Sequence, residues 1–264
     1  MKIMAVALDM DGTLLQSNHE PSEKTCSFLR EIEQKGVKII IATGRSFEAV
    51  TDTVDKIGLK NAIVLCYNGA AVLNYNDKTY LYQKYIEDKY VRELIKIADN
   101  RNIHINLYQD GIWYVDKRDK KEVDFYCKKC GITPVVKDHN SFESYSMPKN
   151  ILIGSHEDLL EANKEIHERL NNNVHTAFSS DIFLEIMNKE VNKGNTLKYL
   201  LNYLNIPLDK CAAFGDAEND LEMLLAVKYG VAMGNSDEDF KKKLNYITSS
   251  NDEDGIVEFL KNRI

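Results

Sequence analysis

Ala5-Val6-Ala7-Leu8-Asp9-Met10-Asp11-Gly12-Thr13-Leu14-Leu15 is the stretch whose reading decides the fold: a continuous apolar run ends in two carboxylates separated by one residue. Such a run, with Ile3 ahead of it, suits a central strand covered on both faces, and Gly12 lets the backbone leave the strand in a turn. Asp9 and Asp11 then stand at a strand's carboxyl end, beside the crevice where open parallel sheets bind ligands. Asp-Gly is also an ordinary turn dipeptide that Thr13 can help to hold. Taken alone, the stretch leaves turn and site equally open.

Working outward, Glu20-Pro21-Ser22-Glu23 reads as a helix start, and Cys26, Phe28, Leu29 and Ile32 form an apolar stripe that ends near Gly36. Val37 to Ala42 is a β-branched strand running into Thr43-Gly44-Arg45, with a helix expected from Ser46. Ala62 to Cys66 is a third strand, ending in Tyr67-Asn68-Gly69-Ala70. This βαβαβ order predicts an α/β fold with a doubly wound, Rossmann-like parallel sheet. Near Thr79 the texture changes to antiparallel signals, among them the Asp110-Gly111 hairpin turn. A helix is expected over about 119–129, and a roughly αββ pattern occurs twice. The parallel pattern resumes around Lys193-Gly194 and continues through Cys211-Ala212-Ala213-Phe214 into Gly215-Asp216-Ala217-Glu218-Asn219-Asp220. The expected organisation is therefore a core of 1–81 and 185–264, with an α+β domain of 82–184 inserted in it.

Composition narrows the function. The chain has 264 residues and a formal net charge of −7, from 34 basic against 41 acidic side chains. That balance gives no electrostatic footprint for nucleic acid or an anionic membrane. No apolar run approaches the roughly 18–20 residues of a membrane span, and a cytoplasmic protein is expected. Five cysteines in irregular spacing read as reduced thiols. Cys127 and Cys130 make one CxxC, which lacks the second pair or nearby histidine of a zinc site.

Two acids at one strand end invite a magnesium ion, and the polar residues at the other strand ends are of the types that would serve a phosphate ester were that the substrate. A carboxylate approaching an anionic ester needs charge cancellation, and Mg2+ supplies it from oxygen ligands, typically one or two carboxylates. Asp9 and Asp216 are the candidate ligands, with the Asp11 backbone carbonyl as a third oxygen. Thr43 offers a hydroxyl to a phosphoryl oxygen, the Gly44 amide lies beside it at an expected helix N-terminus, and Lys193 can neutralise phosphoryl group and nucleophile together. Each piece has an ordinary alternative: a strand-to-helix cap at Thr43, a turn at Lys193-Gly194, an acidic helix start at 216–220, a surface acid as the partner of Arg45.

Taken together, the pieces resemble the haloacid dehalogenase (HAD) superfamily. Its four motifs stand in order in DMDGTLL from Asp9, IIIATGR with Thr43, NKGNTL with Lys193 and FGDAENDLEML with Asp216 to Asp220. The large insert, the YNGA segment and the late MGNSDEDFKKKLNYITSSNDEDGI stretch look like the Cof-type subgroup with a C2B cap. The resemblance implies a phosphatase in which Asp9 is the nucleophile and Asp11 the acid and then base. It further implies phosphoryl contacts from Thr43, Lys193 and Asn219, Asp216 as metal ligand and Asp220 as its support. Under that reading Asp11 must be partly protonated near neutral pH, through desolvation or neighbouring negative charge. The cap would read the leaving group, and small phosphorylated metabolites, sugar phosphates foremost, are the implied substrates. A phosphomutase would use the same core, and a phospho-accepting receiver-type domain shares an acidic site with Thr and Lys. Tyr80, Tyr82, Tyr108, Trp113 and Tyr114 read either as stacking surfaces or as sheet packing. Oligomeric state is not legible in the chain.

Overall fold

A computed structural model describes residues 2–117, 120–130 and 132–264, without the side chains of residues 129 and 130. The expected helix start at Asp119 and the thiol of Cys130 therefore lie outside the described residues. In chain order the elements are β1 (Ala5–Leu8), α1 (Glu23–Gln34), β2 (Lys38–Ala42), α2 (Glu48–Ile57), β3 (Ile63–Cys66), β4 (Ala71–Asn74) and β5 (Tyr80–Gln83). There follow α3 (Asp88–Arg101), β6 (His104–Gln109), β7 (Ile112–Val115), α4 (Lys121–Cys130), β8 (Val135–Val136), β9 (Asn150–Ile153), α5 (His156–Arg169), β10 (Val174–Ser180) and β11 (Phe183–Asn188). The chain closes with α6 (Lys193–Tyr203), β12 (Cys211–Gly215), α7 (Leu221–Ala226), β13 (Tyr229–Ala232), α8 (Glu238–Lys241), β14 (Tyr246–Ile247) and α9 (Gly255–Leu260). Among the described residues no helix is long and apolar enough to cross a membrane.

The first compact unit comprises Met1–Tyr82 and Asn192–Ile264. Its sheet runs β14-β13-β12-β1-β2-β3-β4-β5, parallel from β14 through β3, with β4 antiparallel to β3. β1 is central and every residue in it is fully buried, as its apolar run demands. The chain winds away from β1 through β2 and β3 on one side and returns through β12 and β13 on the other. That makes the carboxyl end of β1 the topological switch point. Register sharpens the placement: Leu8 pairs with Ile41 and with Phe214, so Asp9 lies level with Ala42 and Gly215, the last residues of β2 and β12. α1 forms as read, with Ser22 accepting from the Thr25 amide at its cap and Cys26, Leu29 and Ile32 buried.

The second unit is Gln83–Val191. Its six-stranded sheet has the order β10-β11-β9-β6-β7-β8 and is antiparallel except for β7 with β8. The β6–β7 hairpin turns at Asp110 and Gly111, both with positive φ (52° and 78°), the twist that a two-residue hairpin requires. One sheet face buries Ile105, Leu107, Leu152, Leu184 and Ile186 against Val91, Leu94 and Ile95 of α3 and Leu159, Ala162 and Ile166 of α5. The return to the first unit falls at Asn192, later than the expected 185. Phe183–Asn188 is one strand, laddered to β9 and, as far as Asn188 opposite Val174, to β10, and this ladder carries the chain past 185 before it returns. The aromatics pack on rings of their own unit: Tyr82 on Tyr199 at 4.7 Å, Trp113 on Tyr126 at 5.0 Å and Tyr114 on Phe142 at 5.1 Å.

Candidate active site

The site gathers where β1, β2 and β12 end. Asp9, only 6% exposed, follows β1 directly. Lys193 opens α6, whose cap is Asn192 accepting from the Asn195 amide, so Lys193-Gly194 begins a helix rather than forming a turn. Gly194 is required there, since a Cβ would run into the Glu222 backbone carbonyl of α7. The fully buried Lys193 Nζ donates to Asp9 Oδ1 at 2.5 Å and to Asp220 Oδ1 at 2.6 Å. Asp220 Oδ2 accepts from the backbone amides of Asp216 (3.1 Å) and Ala217 (3.2 Å), which fixes the turn that presents Asp216. Asp216 Oδ1 in turn accepts from the Thr13 hydroxyl at 2.9 Å. Gly12 (φ +78°) closes the loop between them, because a side chain there would strike the Asp216 carboxylate.

Carboxylate oxygens of Asp9, Asp216 and Asp220 all lie within 4.8 Å of one another, with one ammonium among them. Negative charge therefore exceeds positive charge in a buried place. Burial, then the neighbouring Asp220, raises Asp9 well above the usual carboxylate range against the opposing pull of Lys193. Burial and Asp220 likewise push Asp216 up to about 6. Burial opposes the charge on Lys193, but Asp220 and Asp9 outweigh it and hold the ammonium above its ordinary range. A hard divalent cation is the partner that such a donor set fits. Asp220 has both oxygens engaged, so Asp9 and Asp216 are the carboxylates with an oxygen outside these bonds among the described residues.

Thr43, 1% exposed, lies just beyond β2. Its hydroxyl accepts from the Arg45 amide at 3.1 Å, and its carbonyl accepts from the Asn68 amide at 3.0 Å. The Gly44 amide does not cap a helix as expected. α2 begins only at Glu48, because residues 44–47 turn back on Thr43 and on the Tyr67 amide, which donates to the Arg45 carbonyl at 3.0 Å. Asn219 is half-buried on the turn ahead of α7. Asp11 departs furthest from expectation. Its side chain is 52% exposed rather than desolvated, and both its oxygens accept from the Arg45 guanidinium, Oδ2 from Nε at 2.9 Å and Oδ1 from Nη2.

Two residues at the site escape a reading by chemistry alone. Asn68 (φ +54°) carries its side-chain oxygen over Gly44, where a Cβ would come within 3.0 Å. Asn235 Nδ2 donates to the Gly12 carbonyl at 2.8 Å and so ties the loop after β1 to the segment after β13. Both follow parallel strands, and the strand-end rule that selects Asp9 would have selected them too.

The comparisons with known proteins cover nearly the whole chain. The model of a family described as haloacid dehalogenase-like hydrolase matches residues 6–260. A Haemophilus influenzae protein, provisionally named a phosphatase, is 34% identical over 263 residues, covering 97% of this chain and 95% of the relative. The HMP-PP phosphatase of Yersinia pseudotuberculosis is 29% identical over 238 residues, covering 90% and 86%. The crystal structure of a haloacid dehalogenase-like hydrolase from Bacteroides thetaiotaomicron superposes with a TM-score of 0.91 at 26% identity, covering 100% of both chains.

Proposed function

This chain belongs to the haloacid dehalogenase-like hydrolase family, and we propose that it is a magnesium-dependent phosphatase acting on small phosphorylated metabolites through an aspartyl-phosphate on Asp9. The observation that carries this reading is the buried Asp9 carboxylate, bonded to Lys193 at 2.5 Å and grouped with Asp216 and Asp220 within 4.8 Å. Asp9 and Asp216, with the Asp11 carbonyl, would hold Mg2+, which when bound cancels negative charge on the phosphoryl group and the nucleophile.

The remaining work falls to the chain's own side chains. Lys193 holds Asp9 ionised and oriented for in-line attack on phosphorus, and the ester carbon–oxygen fragment leaves as an alcohol. Thr43 donates its hydroxyl to an equatorial phosphoryl oxygen, beside the Gly44 amide and the Asn219 side chain. Asp11, once out of its pair with Arg45, protonates the leaving oxygen and then takes a proton from the water that opens the aspartyl-phosphate. Asp220 acts through others, fixing Lys193 and the Asp216 turn. The inserted unit is the part left to select the leaving group. Sugar phosphates and similar small esters follow from the family resemblance, and the HMP-PP phosphatase relative supports a small phosphorylated metabolite. A net charge of −7 supports an enzyme without nucleic-acid or anionic-membrane partners.

The test is phosphate release from a panel of phosphorylated metabolites with Mg2+ present. At least one small ester is expected to turn over, and Asp9→Asn is expected to abolish turnover while retaining the fold. Unchanged turnover in that variant would overturn the nucleophile assignment.

A further inference from the structure

We propose that Arg45 is a positioning residue: it parks Asp11 in the ligand-free enzyme and releases it when a phosphate dianion takes its guanidinium. The inference rests on the reaction proposed above, since it concerns how Asp11 becomes available for it. Both Asp11 oxygens accept from Arg45 in a two-pronged pair, so in this state neither oxygen is placed to give a proton to a leaving group or take one from water. The pair must open before Asp11 can act.

Three features suit Arg45 to this exchange. Its backbone is fixed from both sides, the amide donating to the Thr43 hydroxyl and the carbonyl accepting from the Tyr67 amide. The guanidinium therefore pivots from a point beside the turn that offers Thr43 and Gly44 to a phosphoryl group. The planar fork that matches a carboxylate also matches a phosphate, and a dianion is the stronger acceptor. Finally, the side chains of Arg45 and Asp11 are 37% and 52% exposed, so water can solvate both partners when the pair opens. The buried Lys193 pairs, by contrast, are not built to open.

The experiment is a double-mutant cycle read by calorimetric binding of orthophosphate to the full-length protein with Mg2+ present. Arg45→Ala is expected to weaken phosphate about tenfold or more, having lost a charged two-pronged contact. Asp11→Ala removes the competitor for the guanidinium and is expected to tighten phosphate severalfold in the native background, but by less than about twofold in the Arg45→Ala background. A gain of equal size in both backgrounds would mean simple relief of charge repulsion and would overturn the proposal, as would an affinity that Arg45→Ala leaves unchanged. Should Arg45→Ala fail to fold by thermal melting, Arg45→Lys carries the cycle: it keeps the charge, lacks the fork and is expected to show the reduced Asp11→Ala gain. The cycle reads binding alone, so it can fail while the phosphatase reading stands, and that reading falls instead on turnover by Asp9→Asn.

Discussion

The two units bury charge in opposite ways. In the inserted unit the buried Lys149 and Glu185 pair at 3.3 Å, one ammonium with one carboxylate, within surroundings that offer them further partners, and His104 and His139 are driven below their ordinary range by burial and so stay neutral. In the first unit three carboxylates surround a single ammonium, and two of them are pushed upward by burial and mutual repulsion. A balanced buried pair is what a folded domain tolerates for its own sake. An unbalanced group that the fold nonetheless holds together, through Thr13, two backbone amides and Lys193, is arranged for something that arrives from outside.

The contrast can be broken at several scales of effect. Lys193→Ala should lower turnover by about 10²–10³, the scale of removing one charged or hydrogen-bonding clamp from a transition state. Steady-state phosphate release checks this, and a loss below tenfold would make Lys193 structural. Adding Mg2+ at about a hundred times its dissociation constant should stabilise the native protein by about 2.7 kcal/mol, a rise in melting temperature of roughly 5–10 °C. Asp216→Asn should respond far less, and an equal shift in both proteins would place the ion elsewhere.

Acidification should shift the stabilities of the two units in opposite directions. The raised Asp216 contributes stability that is fully present below about pH 4 and lost as pH rises through about 6, and the raised Asp9 acts with the same sign. The lowered His104 and His139 contribute stability that is fully present above about pH 6.5 and lost as pH falls through their folded values. Between pH 7 and 5, without Mg2+, hydrogen-exchange protection factors, taken relative to the intrinsic rate at each pH, should therefore rise in β1 and β12 and fall in β6 and β9. A common direction in both sheets would dispose of the contrast. The smallest effect is expected from Asp216→Asn alone: relief of like-charge repulsion should raise stability in the absence of Mg2+ at pH 8 by about 1–2 kcal/mol, measured by urea unfolding.

Much of the architecture is legible because buried parallel strands announce themselves. Ala5 to Leu8 and Ile39 to Ala42 are apolar throughout, and the polar residues that follow mark the ends at which ligands bind. The Asp110-Gly111 turn is equally plain, since few residue pairs accept positive φ twice. What sequence conceals is whatever depends on register between distant segments. Asn235 meets the Gly12 carbonyl across 223 positions, and nothing local to either residue encodes the meeting. The Arg45–Asp11 pair is hidden for the same reason, since it requires Leu8 to pair opposite Ile41. The inserted unit ends beyond 185 because β11 runs on to Asn188, held there by pairing with Val174, a partner that lies outside the strand's own sequence.

The proposed reaction requires a covalent bond between phosphorus and Asp9. Acid-quenching the enzyme during turnover of a small phosphate ester, reducing the trapped acyl phosphate with borohydride and locating the reduced residue by peptide mass spectrometry tests it directly. The reduced side chain is predicted at position 9 and nowhere else. Reduction at position 11 or 216, or intact aspartates throughout despite rapid phosphate release, would contradict it.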